Sequence, residues 1–91
     1  MGHLVRTEPI LYTQRGCAES ARVRAWLVHH AIAFRERDVS DDPEAAHALA
    51  ATGMFATPLF VVGEDRVVGF HPEALERVLL RCSRRTPASR T

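Results

Sequence analysis

The sequence predicts one α/β domain, in which three helices flank a four-stranded mixed sheet in the chain order βαβαββα. Two observations carry this prediction. Short apolar runs alternate with stretches of helical period along the first half of the chain, and two β-rich runs flank a turn in the second half. Strand crossovers are right-handed, so we expect the first two strands to be parallel, whereas the closing hairpin is antiparallel.

The first half of the chain supplies two strands and the first helix. The short apolar run at residues 9–12 predicts a buried strand, and the weakly alternating residues 32–39 predict a second one. Between them, large side chains recur at the spacing of one helix face. We expect this face to point inward; it carries Val23, Trp26, Leu27 and His30.

The second half begins with a helix that has clear start and stop signals. Asp42 can cap it, Pro43 suits its first position, and Gly53 should end it. The helix is rich in alanine, which gives strong helix propensity but little bulk. We therefore expect it to form a thin cover on one face of the sheet.

The remaining elements are a hairpin and a last helix. Residues 58–62 and 66–68 are β-rich and are separated by Gly-Glu-Asp, which predicts a hairpin turn. Pro72 opens a final helix. Its inward face is predicted to carry Leu75, Val78 and Leu79.

Composition limits the classes of function. The 91 residues suffice for one domain, which we assign to residues 1–82, and residues 83–91 read as a basic, disordered tail. A net charge of +1 argues against nucleic-acid binding. No apolar run approaches the ~20 residues of a membrane span, and the first residues lack the features of a secretion signal. The expected location is the cytoplasm.

The chain contains two cysteines, Cys17 and Cys82, which are too few for a disulfide framework. Cys82 stands ten residues after Pro72, and at ~1.5 Å per helical residue that is on the order of 15 Å. If the start of this helix faces the functional site, Cys82 does not.

Cys17 is the strongest candidate for chemistry. It lies between a predicted strand and a predicted helix, where backbone N–H groups and the helix dipole stabilise a thiolate. Arg15 should favour the thiolate and Glu19 should oppose it. The competing interpretation is a small buried hydrophobe, the usual fate of a free cysteine.

Three blocks of sequence, YTQRGC at residues 12–17, ATPLFVV at 56–62 and GFHPE at 69–73, resemble the glutaredoxin branch of the thioredoxin-like proteins. The resemblance extends over residues 9–80. It implies a thioredoxin-like (glutaredoxin) fold and the activity of a thiol-disulfide oxidoreductase centred on Cys17.

Ser20 stands where many members of the family carry a second cysteine. A single-cysteine protein of this kind forms a mixed disulfide with glutathione or a protein thiol, and an external thiol must release it. The resemblance therefore implies glutathione as a co-substrate. The Ser20 hydroxyl either donates a hydrogen bond to the Cys17 sulfur or only occupies the first helical turn; the sequence leaves both open.

Thr57-Pro58 resembles the cis-proline site of the family, where the residue before proline offers its backbone to an extended sulfur-bearing substrate. The alternative is a trans proline that starts an edge strand. The resemblance implies that the rest of the groove is formed by two further segments. They contribute Gln14, Arg15, Gly69, Phe70 and His71.

Residues 41–45 and 69–73 also resemble the redoxins that deliver electrons to ribonucleotide reductase and are reduced by thioredoxin reductase. A reductase of that type is therefore a further possible partner. Those redoxins rely on two active-site cysteines, whereas this chain has Ser20. A lysine usual in both branches is Gln14 here, which cannot offer a charge to a glutathione carboxylate.

A non-catalytic module of the same fold is the alternative function, with the groove binding a protein partner or an iron-sulfur cluster. Glu19 places a negative charge where a cluster favours neutral N–H donors. No metal site is expected, since the histidines lack ligand spacing with either cysteine. These histidines are His29, His30, His47 and His71.

Overall fold

A computed structural model of the chain describes residues 8–85, with side chains for residues 8–80. Within this part of the chain, the predicted order of four strands and three helices is confirmed. The strands are β1 (Ile10–Thr13), β2 (Arg35–Asp38), β3 (Leu59–Val62) and β4 (Asp65–Val68), and the helices are α1 (Ala18–His29), α2 (Pro43–Ala51) and α3 (Pro72–Arg85).

The four strands form one mixed sheet in the order β2-β1-β3-β4. β1 pairs in parallel with β2, where Ile10 lies opposite Arg35. It pairs antiparallel with β3, where Leu11 lies opposite Phe60, and β3 and β4 form the predicted hairpin. Because β1 is central, the loop at its end lies between the β2 side and the β3 side of the sheet.

The two faces of the sheet are covered by different helices. On one face, α1 and α3 bury a core of eight side chains: Leu11, Val23, Leu27, Phe60, Val62, Val67, Leu75 and Val78. On the other face, Leu49 of α2 packs with Tyr12 and Leu59. Only Ala45 and Leu49 of α2 are buried, so α2 is the thin cover predicted from its alanine content.

The caps of α2 confirm the start and stop signals of the sequence. The Asp42 carboxylate accepts hydrogen bonds from the backbone N–H groups of Glu44 at 3.0 Å and Ala45 at 3.3 Å. These contacts satisfy donors that a helix start leaves unpaired. Past the C-cap Thr52, Gly53 has φ +84°.

Three predictions of element position need correction. β2 is only Arg35–Asp38, because residues 32 and 34 leave the sheet and pack against the core instead. His30 is exposed rather than inward: it caps the end of α1, and its ring stacks on Trp26 with centroids 4.1 Å apart. Trp26 itself is partly buried against the larger core.

The third correction concerns the end of α3. The helix continues to Arg85, so the first three residues of the predicted tail are helical. Arginine is a good helix former and is favoured near a helix C-terminus, and no proline interrupts the chain before residue 87. Residues 86–91 lie outside the described residues, so the rest of the tail stays a prediction.

α1 ends in a turn that uses an unusual residue. The N–H of Ile32 donates to the Leu27 carbonyl at 2.9 Å, and that of Ala31 donates to the Val28 carbonyl at 3.0 Å. This bond pattern normally has glycine in the left-handed position, but here Ala31 takes it with φ +57°.

Among the helices that the structure describes, none has the length and apolar character needed to cross a membrane.

Candidate functional site

Cys17 is the N-cap of α1. Its backbone is extended, with φ −91° and ψ 112°, and its Sγ accepts a hydrogen bond from the Ser20 N–H at 3.4 Å. Its own N–H donates to the Gln14 carbonyl at 3.1 Å, which closes the turn between β1 and α1. The sulfur therefore takes the place usually filled by a serine or aspartate oxygen, beside the positive end of the helix dipole.

These surroundings lower the pKa of Cys17 below its ordinary value of 9.0. The Ser20 side chain is the largest cause, and the Ser20 N–H follows. Partial burial raises the pKa, the Glu19 N–H lowers it, and the negative charge of the Glu19 side chain raises it. The predicted opposition of Glu19 is thus present, but donors at the helix start outweigh it.

Ser20 fills the first turn of α1 and is only 1% exposed. Its hydroxyl oxygen is buried and, in this conformation, satisfies hydrogen-bonding geometry with none of the described residues. The hydrogen bond that reaches the sulfur in this conformation is therefore the one from the Ser20 N–H. A hydrogen bond from the Ser20 side chain to the thiolate is nevertheless the largest cause of the lowered pKa of Cys17. Since it has no competing acceptor there, the hydroxyl proton is available to a thiolate at Cys17.

Arg15 does not stabilise the thiolate in the way the sequence predicts. Its guanidinium forms an ion pair with Asp41, and its backbone N–H donates to Ser40 Oγ at 2.9 Å. It is not among the groups that lower the pKa of Cys17. The reason is competition, because a carboxylate in the loop after β2 lies within reach of the guanidinium.

The predicted cis-proline is confirmed, since the Thr57-Pro58 bond is cis. Thr57 Oγ1 donates a hydrogen bond to Gln14 Oε1 at 3.1 Å, which joins this segment to the Cys17 turn. The Pro58 carbonyl accepts from the Gly69 N–H at 2.8 Å. Two segments that lie far from Cys17 in sequence are therefore tied to its loop.

The segment before α3 contacts both the start of α1 and the cis-proline segment. Gly69 has φ +81°, and Phe70 packs partly buried against the larger core. The Phe70 N–H donates to Glu19 Oε2 at 2.8 Å. His71 is exposed, with its Nε2 3.4 Å from where a Cβ on Gly69 would lie.

The structure thus connects most of the predicted site residues through hydrogen bonds, whereas His71 takes no part in these contacts. One chain of contacts runs from Cys17 through Gln14 to Thr57 and Pro58, and a second runs from Glu19 to Phe70. The Arg15 side chain takes no part in these contacts, because it is directed toward Asp41 in the loop after β2.

Sequence reasoning missed three features of the site. It did not pair Glu19 with Phe70, nor Arg15 with Asp41, because each pair is separated by many residues and no local pattern marks it. It also did not single out Phe55, whose side chain is 80% exposed in the loop that leads to Thr57.

No set of three or more histidine, cysteine, aspartate or glutamate side chains in the described part of the chain is placed to hold a metal ion. The sulfur of Cys17 has a hydrogen-bond donor on its helix side, and the Glu19 charge acts on it unfavourably. Cys82 belongs to α3, but its side chain lies outside the described ones.

Comparison with known protein families and sequences agrees with this geometry. The family model described as Glutaredoxin matches residues 10–67, which include Cys17, Thr57 and Pro58. The "Glutaredoxin-like protein NrdH" of Lactococcus lactis subsp. cremoris is 28% identical over 68 residues, covering 75% of this chain and 94% of the relative. The protein of the same name from Escherichia coli K12 is also 28% identical, with 84% of its length covered.

Solved structures give the same result for the fold. The thioredoxin-like protein BC3987 superimposes with a TM-score of 0.73 at 31% identity, over 77% of this chain and 97% of that one. A glutaredoxin from Archaeoglobus fulgidus superimposes with a TM-score of 0.68 at 19% identity, over 80% of this chain and 86% of that one. At that identity the second similarity shows the fold alone.

Proposed function

The chain belongs to the glutaredoxin family, and from this premise we propose that it is a single-cysteine thiol-disulfide oxidoreductase with Cys17 as the nucleophile. The observation that carries the proposal is the position of Cys17 Sγ at the start of α1, where the Ser20 N–H donates to it and the pKa of the thiol is lowered. A thiolate is the reactive form of cysteine in disulfide exchange.

The proposed cycle has two exchange steps. In the first, the Cys17 thiolate attacks one sulfur of a disulfide, forms a mixed disulfide with that half and releases the other half as a thiolate. In the second, an external thiolate attacks the same half, carries it away as a new disulfide and leaves Cys17 as a thiolate. Each step breaks one S–S bond and forms another, so no further oxidant is needed.

Because Ser20 stands where a second cysteine could be, the thiol that releases Cys17 must come from outside the protein. The Ser20 oxygen stands on the same helical turn as the Cys17 sulfur but cannot attack a disulfide as a thiolate would. We assign it the role of stabilising the leaving thiolate of Cys17, which is consistent with its effect on the pKa of this group.

We assign the binding of the substrate to the groove beside the sulfur. The backbone at Thr57 and Pro58 would pair with an extended substrate, as the family resemblance implies. Gln14, Arg15 and residues 69–71 would line the remainder. The contacts of Gln14 with Thr57, and of Gly69 with Pro58, support this assignment because they hold the walls together.

For the disulfide partner, we propose glutathione or a protein thiol, with glutathione as the co-substrate that releases Cys17. The similarity to glutaredoxin-like NrdH proteins also supports a protein disulfide as substrate and a thioredoxin-reductase-like protein as the source of electrons. Free-thiol chemistry of this type suits the reducing cytoplasm, where we place the protein.

The first test is the intact mass of the protein after incubation with oxidised glutathione, followed by timed treatment with reduced glutathione. The proposal predicts one glutathione adduct on the wild type and on Cys82→Ser, no such adduct on Cys17→Ser, and its removal by reduced glutathione. Absence of an adduct at Cys17, or faster reaction at Cys82, would instead favour a non-catalytic binding module.

The source of electrons is tested with a thioredoxin reductase and NADPH. The variant Ser20→Cys would restore an intramolecular second thiol, so we expect reductase-dependent disulfide reduction well above that of the wild type. If the variant forms its internal disulfide but gains no activity, a reductase of this class is not the partner.

A further inference from the structure

The side chain of Glu19 connects two elements that border the reactive sulfur. Glu19 lies in the first turn of α1, two residues after Cys17. Its Oε2 accepts the N–H of Phe70 at 2.8 Å, across 51 residues of sequence. A hydrogen bond to a carboxylate is stronger than one to a neutral acceptor, so this contact holds the segment before α3 against the start of α1.

The fit around this contact is close. A Cβ placed on Gly69 would lie 2.9 Å from Glu19 Oε2, which is shorter than real Cβ contacts. The other side of the segment is fixed as well, because the Gly69 N–H donates to the Pro58 carbonyl at 2.8 Å. Residues 69 and 70 are therefore held between α1 and the cis-proline segment.

This arrangement works against the chemistry of the thiol. The charge of Glu19 raises the pKa of Cys17, whereas the other contacts at the helix start lower it. A neutral side chain would leave the thiolate more stable. The carboxylate thus opposes thiol activation, and its hydrogen bond goes to Phe70, in the segment to which we assign part of the groove wall.

We propose that Glu19 is a positioning residue, whose carboxylate clamps residues 69 and 70 to the start of α1 and so fixes the groove wall against which a polypeptide disulfide aligns. The inference rests on the proposed role of Cys17. A small disulfide needs only access to the sulfur, whereas an extended peptide contacts the wall on both sides of its cysteine. Loss of the clamp should therefore affect the peptide more than the small molecule.

The test compares two probes that share one leaving group. One is a peptide whose cysteine carries thionitrobenzoate, and the other is 2-mercaptoethanol carrying the same group. The Cys17 thiolate attacks the sulfur that belongs to the peptide or to 2-mercaptoethanol. This attack forms the mixed disulfide and releases coloured thionitrobenzoate. Both rates are proportional to the fraction of Cys17 that is present as thiolate, so this fraction cancels in their ratio. The ratio therefore reports contacts with the groove and not the pKa of Cys17.

The variants separate the hydrogen bond from the charge. Glu19→Gln keeps an acceptor for the Phe70 N–H but removes the charge, and Glu19→Ala removes both. Glu73→Ala is the matched control, because Glu73 is an exposed glutamate in the first turn of α3. We use Cys82→Ser as the background of every variant, so that release of the leaving group reports Cys17.

We expect Glu19→Ala to lower the ratio of the peptide rate to the small-probe rate about fivefold. This is the factor that corresponds to the loss of one hydrogen bond. Glu19→Gln should keep the ratio near that of the wild type, and both variants should lower the pKa of Cys17. Amide hydrogen exchange at Phe70 should accelerate in Glu19→Ala and remain slow in Glu19→Gln.

Two results would overturn the inference. An unchanged ratio in Glu19→Ala, or an equal loss in Glu73→Ala, would show that the contact with Phe70 does not position the wall. If the parent protein reacts with neither probe, the proposed function itself fails. If the parent protein reacts with both probes but Glu19→Ala leaves the ratio unchanged, only the role of Glu19 fails.

Discussion

Replacing Gly69 with alanine tests the packing beside the reactive sulfur. Two effects add in this variant. An L residue in left-handed backbone costs about 1–2 kcal/mol, and Gly69 has φ +81°. The new Cβ would also lie 2.9 Å from Glu19 Oε2, so the carboxylate must move and its bond to the Phe70 N–H is lost.

The expected magnitude follows from these terms. The lost hydrogen bond is worth about 1 kcal/mol at an exposed position. Alanine also restricts the unfolded chain more than glycine does, which offsets about 0.5 kcal/mol. We therefore expect Gly69→Ala to lower the free energy of unfolding by about 2 kcal/mol, and urea unfolding followed by circular dichroism would measure it.

Gly53 provides the control, because its φ of +84° is nearly the same as that of Gly69. Apart from its two chain neighbours, no described atom lies within 4 Å of where a Cβ on Gly53 would stand. Gly53→Ala should cost only the backbone part, about 1 kcal/mol. In a Glu19→Ala background, the excess cost of Gly69→Ala over Gly53→Ala should disappear. Equal costs for the two glycines in the wild type, or an excess that persists without Glu19, would refute this reasoning.

Three further predictions concern the thiol, an ion pair and the end of α1. The folded state lowers the pKa of Cys17, so its thiolate contributes its full stabilisation when the pH is above the ordinary pKa of 9.0. This stabilisation is lost as the pH falls through the pKa of Cys17 in the folded protein. The stability of the wild type relative to Cys17→Ser should therefore rise with pH in urea unfolding, and Ser20→Ala should raise the pKa of Cys17 in a thiolate absorbance titration. The hydrogen bond from Arg24 is the main cause of a lowered pKa at Glu36, so this pair stabilises the fold above the ordinary carboxyl pKa of 4.5 and is lost on acidification. Since the pair is partly exposed, Arg24→Ala should cost no more than about 1 kcal/mol at neutral pH and almost nothing in strong acid. Ala31→Gly should stabilise the protein by about 0.5–1 kcal/mol, visible as a higher Tm, because glycine removes the left-handed strain at φ +57°; a lower Tm would contradict this.

The sequence was sufficient to predict the fold because its signals are local. Apolar period and turn chemistry marked each strand and helix, and the caps at Asp42 and Gly53 fall where they were expected. The position of Cys17 at a helix start followed from the same signals. The Thr57-Pro58 isomer followed from the family resemblance and not from the dipeptide itself.

The sequence was less reliable where a side chain had a choice of partners. Helical phase placed His30 inward, but α1 ends just before it. The exposed ring of His30 stacks on Trp26 instead. Charge placed Arg15 near the thiolate, but Asp41 lies close enough to pair with it. Periodicity and formal charge report which residues can interact, whereas the folded chain decides which of the possible partners is near.

By itself, the sequence determined the order of the elements and the placement of one thiol at the start of a helix, since each depends on residues within a few positions of one another. The family followed from the resemblance of three separate blocks of sequence to its known members. Only the tertiary structure showed that Glu19 reaches the N–H of Phe70 and that Gln14 reaches Thr57, contacts that span 51 and 43 residues. Such contacts form because the sheet brings the end of β1, the start of β3 and the loop after β4 to one edge. Distance in the fold, which no local pattern encodes, decided how the site is assembled around the sulfur.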